Sequence, residues 1–156
     1  MKKILLILLS LICFQGFVLA DDISDVKTFF NNYIKDANSY SPNVINYYLP
    51  NAKIIRVVHK KEGGLVSIDF PMSAYVDQLK KGAKLAKMVG YSNKYTNIDV
   101  KKINGSDYKI SAIRTPMKDK KGLPFYFIVT KTDKGYKVKE ESMDTTVQKF
   151  LAYAKK

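Results

Sequence analysis

Residues 108–116 read YKISAIRTP and place Arg114, one of only two arginines beside 25 lysines, in a segment that otherwise alternates like a half-buried strand. Tyr108, Ile110 and Ala112 share its face, because successive side chains of a strand point to opposite sides. A guanidinium drawn in among apolar groups has to be paired, and a carboxylate is its commonest partner. Pairing of the last two strands about Asp133 and Lys134 sets Glu140 opposite Phe127 in the apolar phase, with Lys137, Lys139 and Glu141 in the solvated phase. Three roles are then open to Arg114. It forms a structural ion pair with Glu140, it lies on a sheet edge next to Pro116, or it floors a cavity that receives a carboxylate or phosphate headgroup. A turn centred on Lys120 would instead bring it beside Tyr126, and the five-residue turn leaves that register open.

Tyr47, Tyr75 and Tyr126 join Arg114 and Glu140 as candidate ligand-binding residues. The chain has 11 tyrosines, and a tyrosine with its ring in the core and its hydroxyl at the rim serves packing and recognition alike. No catalytic residue is assigned. An acid/base enzyme would have to use Glu140 or Asp99 as its base with tyrosines as donors, which needs a carboxylate held in a mostly apolar cleft. The single histidine, His59, stands at a strand end beside Lys60 and Lys61 and reads as a solvated residue rather than a general base. The single cysteine, Cys13, falls in the leader described next. Thiol chemistry, zinc–thiolate sites and His-rich metal sites are therefore excluded, and no acidic loop of the calcium-binding type is present. Neither KTDKG nor KING precedes a helix with the glycine spacing of a phosphate loop. No cofactor and no metal are expected.

The elements that position these residues follow a leader. Residues 1–20, MKKILLILLSLICFQGFVLA, combine two lysines, a short apolar run and small residues before Ala20, the pattern of a secretory signal peptide cut between Ala20 and Asp21. That predicts export, to the periplasm or to the medium, and a single domain over 21–156. Loss of Lys2 and Lys3 lowers the formal net charge from +13 to +11. The lysines are scattered as short pairs rather than gathered in one block, so they read mainly as a solvated surface. Nucleic acid is not expected as a partner, whereas weak contact with an anionic membrane surface is compatible with the charge.

Val26, Phe29, Phe30, Tyr33, Ile34 and Ala37 fall on one face of an opening helix for which Ser24 is the expected cap. Ser41 and Pro42 start a short helix that Pro50 ends. A hairpin turning at Gly63 and Gly64 follows, then a helix from Ala74 to Met88 with Gly90 as its cap. Strands are expected at 93–103, 107–116, 123–132 and 135–143, and a last helix at 145–154. Early helices followed by an antiparallel meander give an α+β domain, in which one curved sheet of about six strands wraps over the N-terminal helices.

This order resembles the nuclear-transport-factor-2-like superfamily, also called SnoaL-like or cystatin-like cones. The resemblance rests on the amphipathic opening helix, SPNVINYYLPNAKIIRVV, PMSAYVDQL, and the ending YFIVTKTDKGYKVKEES, where Tyr136 replaces the tryptophan frequent in that family. It implies a cone whose concave sheet face holds a small apolar or amphipathic molecule or meets a protein partner. Dimerisation through the outer face is also implied, and enzymatic relatives carry acid/base residues on the concave wall. The functional expectation is an exported, non-enzymatic binding or interaction protein. The alternatives are an isomerase-, dehydratase- or hydrolase-type enzyme in the same pocket, and a cationic adaptor for an anionic membrane surface or polymer.

Overall fold

The structure is a computed structural model that describes residues 21–154 apart from Lys118 and Lys120. The expected signal peptide lies outside the described residues. Helix α1 covers 21–38 and is already helical three residues ahead of Ser24, so Ser24 is not its cap. A 3-10 helix, Pro42–Tyr47, follows, capped by the Ser41 side chain, which accepts a hydrogen bond from the Asn43 N–H at 3.2 Å. Then come β1 (Tyr48–His59), β2 (Leu65–Phe70), α2 (Met72–Met88), β3 (Asn93–Asn104), β4 (Asp107–Pro116), β5 (Leu123–Thr132) and β6 (Gly135–Thr145). A second 3-10 helix, Gln148–Tyr153, comes last among the described residues.

Two expected boundaries move for identifiable reasons. Pro50 does not end a helix but sits inside β1, in the stretch between Tyr48 and Lys53 where the ladder to β6 shifts register. Such an irregularity tolerates a residue that has no N–H to donate. At the other end β6 runs on to Thr145 so that it can pair with Val58, and the shortened remainder winds as a 3-10 rather than an α helix.

The six strands form one open sheet in the order β2-β1-β6-β5-β4-β3. The sheet is mixed, with β1 and β6 parallel and the other four neighbouring pairs antiparallel. The helices cover one face. Val26, Phe30 and Tyr33 of α1 and Tyr75 of α2 are buried against Ile54, Tyr108, Ile110, Phe125, Phe127 and their neighbours. Phe30 is wholly buried, its ring edge-on to Tyr95 and Phe127 at 5.4 and 5.7 Å. Burying one such ring contributes roughly 1.5–3 kcal/mol. Among the described residues, none of the helices covers the opposite face of the sheet.

Candidate binding site

On the helix-covered face the alternation of β1 points Ile54, Arg56 and Val58 inward, and all three are buried, Arg56 to 1% exposure. Its Nη1 lies 2.7 Å from Glu141 Oε1 and also donates to the Ile55 carbonyl at 3.0 Å. The guanidinium is caged by the rings of Tyr75, Phe70 and Phe150, with centroids 5.3–5.8 Å away. Tyr48 donates its hydroxyl proton to Glu141 Oε2. The Tyr48 oxygen in turn lies 2.9 Å from the Tyr75 hydroxyl and 3.3 Å from that of Tyr33. A phenol has one proton, so with Tyr48 committed to Glu141 the Tyr33 hydroxyl donates to the Tyr48 oxygen, while the Tyr75 hydroxyl has both the Tyr48 oxygen and, at 3.4 Å, Glu141 Oε2 as acceptors.

Burial pushes the Tyr33, Tyr48 and Tyr75 phenols well above their ordinary value, and the Glu141 charge adds to the effect. Burial works against the Arg56 charge, but the Glu141 carboxylate and the neighbouring phenol oxygens outweigh it and hold the guanidinium above its usual value. The centre of the cone is thus occupied by the protein's own ion pair, donor hydroxyls and rings. A carboxylate with both oxygens bound to an arginine and tyrosines has no position facing a substrate, as a general base requires.

Glu141 occupies the place expected of Glu140. Val129 pairs with Val138, but Ile128 pairs with Glu140, so Lys139 is an extra residue in β6. One added residue inverts the side-chain phase of everything beyond it. Glu141 therefore stands opposite Phe127, and Glu140 turns to the other face, accepting a hydrogen bond from Tyr126 at 2.7 Å. The Arg114–Glu140 ion pair, one of the three roles open to Arg114, is not formed.

Arg114 does point inward, at 4% exposure, opposite Tyr95 on β3 and Leu123 on β5. Its Nη1 donates to Asn93 Oδ1 at 2.7 Å and its Nη2 to the Asp144 carbonyl at 3.2 Å, which ties together the ends of β3, β4 and β6. No carboxylate among the described residues lies within ion-pairing distance of it. Tyr75 alone of the five candidate residues joins the central network. Tyr47 lies at the periphery, donating to Asp36 at 2.8 Å, and burial together with that carboxylate raises it to about 12. Asp99, the other proposed base, is exposed beside Lys101 at 3.1 Å. His59 sits at the end of β1 with Nε2 2.8 Å from Asp144 Oδ2. Arg56 and Glu141 were missed at the sequence level. The alternation that singles out Arg114 applies equally to Arg56, between Ile54 and Val58.

Two concavities among the described residues lie outside the cone. One, of about 620 Å³, separates α2 from the last 3-10 helix beside Gln78, Lys81 and Tyr153. The other, of about 540 Å³, opens on the helix-free face of the sheet. Its apolar wall is Val57, Ile113 and Pro124, and its polar groups are Lys109, Tyr126 and Asp144. The strand register builds it. Asp99, Ser111, Tyr126, Ser142, Ile55 and Asp69 form one cross-strand row, and Lys101, Lys109, Ile128, Glu140 and Lys53 form the next. The Lys109 ammonium lies 4.5 Å from the centre of the Tyr126 ring, and burial and Glu140 raise that phenol to about 12. No group of three or more metal-binding side chains occurs among the described residues.

An open, mixed six-stranded sheet with helices on one side is the nuclear-transport-factor-2-like, cystatin-like fold, and the chain adopts it. A nuclear-transport-factor-2-like protein with a cystatin-like fold from Novosphingobium aromaticivorans superposes with TM-score 0.59 at 9% identity, over 86% of this chain and 88% of that one. One from Shewanella oneidensis gives 0.56 at 13%, over 78% and 98%. A Novosphingobium aromaticivorans protein provisionally named a scytalone dehydratase gives 0.57 at 12%, over 81% and 85%. At such identities the likeness carries the fold and nothing finer. No protein-family model and no curated protein sequence matches the chain.

Proposed function

We propose that the protein, once exported, is a non-enzymatic interaction module that receives a segment of a partner protein in the groove on the helix-free face of its sheet. The observation that carries this reading is the division of the molecule into a filled side and an open side. The cone in which a small molecule would sit is occupied by Phe30, Tyr33, Tyr48, Tyr75, Phe127 and the Arg56–Glu141 pair, while the opposite face presents a 540 Å³ groove. The groove mixes apolar wall, hydroxyls, an ammonium and a carboxylate. That suits a polypeptide, whose amide dipoles and apolar side chains need both kinds of contact.

A photoreactive benzoylphenylalanine at the exposed rim residue Lys109 tests it in cells of the source organism. The expected result is one covalent adduct of defined mass, lost when Ser111→Arg fills the groove and kept when Ser73→Arg places the same charge on the helical side. An adduct indifferent to Ser111→Arg, or no adduct with a folded protein, overturns the proposal. An adduct of twice the monomer mass would identify the partner as a second copy.

A further inference from the structure

We propose that the C-terminal half of α2, together with Met117, docks the protein on an anionic lipid surface. From Lys80 onward no residue of α2 is fully buried. Leu85 and Met88 are 63% and 75% exposed, and Val89 at the helix end is exposed as well. Tyr75 and Leu79 anchor the first half of the helix to the core, and at 100° per residue Met88 falls on the far side from them and Leu85 on the flank beside it. Around these apolar groups stand Lys80, Lys84 and Lys87, together with Lys81, which also pairs with Asp77 at 3.4 Å, and with Lys94 just beyond. From Gln78 to Ile98 the chain has five lysines and no acidic residue.

The surface extends across the chain. The Met117 N–H donates to the Ser92 carbonyl at 2.8 Å, which sets exposed Met117 beside the helix exit. The Tyr40 hydroxyl and the Tyr91 N–H fix that exit by bonding to the Tyr91 and Ala86 carbonyls at 2.6 and 2.9 Å. Exposed leucine, methionine and valine interleaved with lysines match a bilayer interface, where the apolar groups enter the acyl boundary and the ammonium groups meet anionic headgroups. A purely charged polymer would engage the lysines and leave Leu85 and Met88 in water. No described helix is long and apolar enough to cross a membrane, so the contact is peripheral. Because the helices cover one face of the sheet, this surface leaves the groove on the other face free.

The chain has no tryptophan, which provides a clean test on the full protein lacking residues 1–20. A tryptophan introduced as Met88→Trp should shift its emission to the blue on vesicles containing 30% phosphatidylglycerol and be quenched by brominated acyl chains. Ile103→Trp, at the opposite end of β3, should do neither. Lys84→Gln with Lys87→Gln should weaken partitioning about 30-fold, and Leu85→Ser with Met88→Ser should abolish the blue shift of a reporter at Val89. Lys102→Gln with Lys134→Gln, the same charge removed at the far end of the strands, should leave partitioning within about twofold. Equal loss in that control, an unshifted Met88→Trp, or equal binding to uncharged phosphatidylcholine vesicles overturns the proposal. So does binding to an anionic polymer that protects Lys84 while Met88→Trp stays water-exposed.

Discussion

Arg56 and Glu141 approach to 2.7 Å across the parallel boundary between β1 and β6, with both side chains almost wholly withdrawn from water. Removing one member strands the other as a buried, unpaired charge. Arg56→Met and Glu141→Gln should each lower stability by about 3–5 kcal/mol in urea denaturation. The double variant should lose little more than either single one, because glutamine still accepts from Tyr48. Strictly additive losses would mean that the two groups act independently.

Arg114 is equally buried but has no carboxylate partner, and that difference sets the next expectation. Arg114→Met takes one of two donors from Asn93 Oδ1, the Tyr91 hydroxyl remaining at 3.2 Å, and it also removes a desolvated charge that no counter-ion offsets. The net loss should be only about 1 kcal/mol, well below that for Arg56→Met under the same conditions. A loss as large as that of Arg56→Met would show that strand-end tethering dominates over charge.

Burial, reinforced by a neighbouring carboxylate in each case, raises the phenols of Tyr47, Tyr108, Tyr126 and Tyr136 to about 12. In the unfolded chain a phenol titrates near 10. The folded state therefore binds these protons more tightly, its advantage is complete below pH 10, and it is lost as pH rises towards 12. Absorbance at 295 nm should show these four phenols still largely protonated at pH 11, their ionisation rising cooperatively with the loss of circular dichroism. Progressive ionisation of most tyrosines near pH 10 with the fold intact would contradict the arrangement.

A methyl group on Gly122 would lie 2.3 Å from Ile113 Cγ2 and 2.9 Å from Thr115 Oγ1. Both neighbours are β-branched and stiff at χ1. Gly122→Ala should cost about 1–3 kcal/mol and, by displacing Ile113 from the groove wall, reduce crosslinking from position 109. Unchanged melting and unchanged crosslinking would show that the turn yields freely.

Sequence patterning located the four meander strands to within two residues, because β-branched and aromatic alternation between glycine turns is a local signal. The parallel contact of β1 with β6 is not local, and nothing within either strand announces its partner. The bulge at Lys139 was equally silent, since the residues around it read the same with or without an extra position in the ladder. That one residue decided which glutamate faces the core, Glu141 instead of Glu140. Arg56 was legible by the alternation rule that picked out Arg114. The expected cap at Ser24 failed because the helix was already under way before it.

The junction of β1 with β6 also sets the order in which the molecule can be completed. A chain appearing from its N-terminus produces the first hairpin early, but that hairpin has no strand of the sheet to join until β6 begins at Gly135, well after the hairpin ends at Phe70. Until then Arg56 is a cation without a counterpart among half-assembled rings. A protein shortened before β6 would therefore lose far more than an edge: its first third would have nothing to join, and the ion pair at its centre would never close.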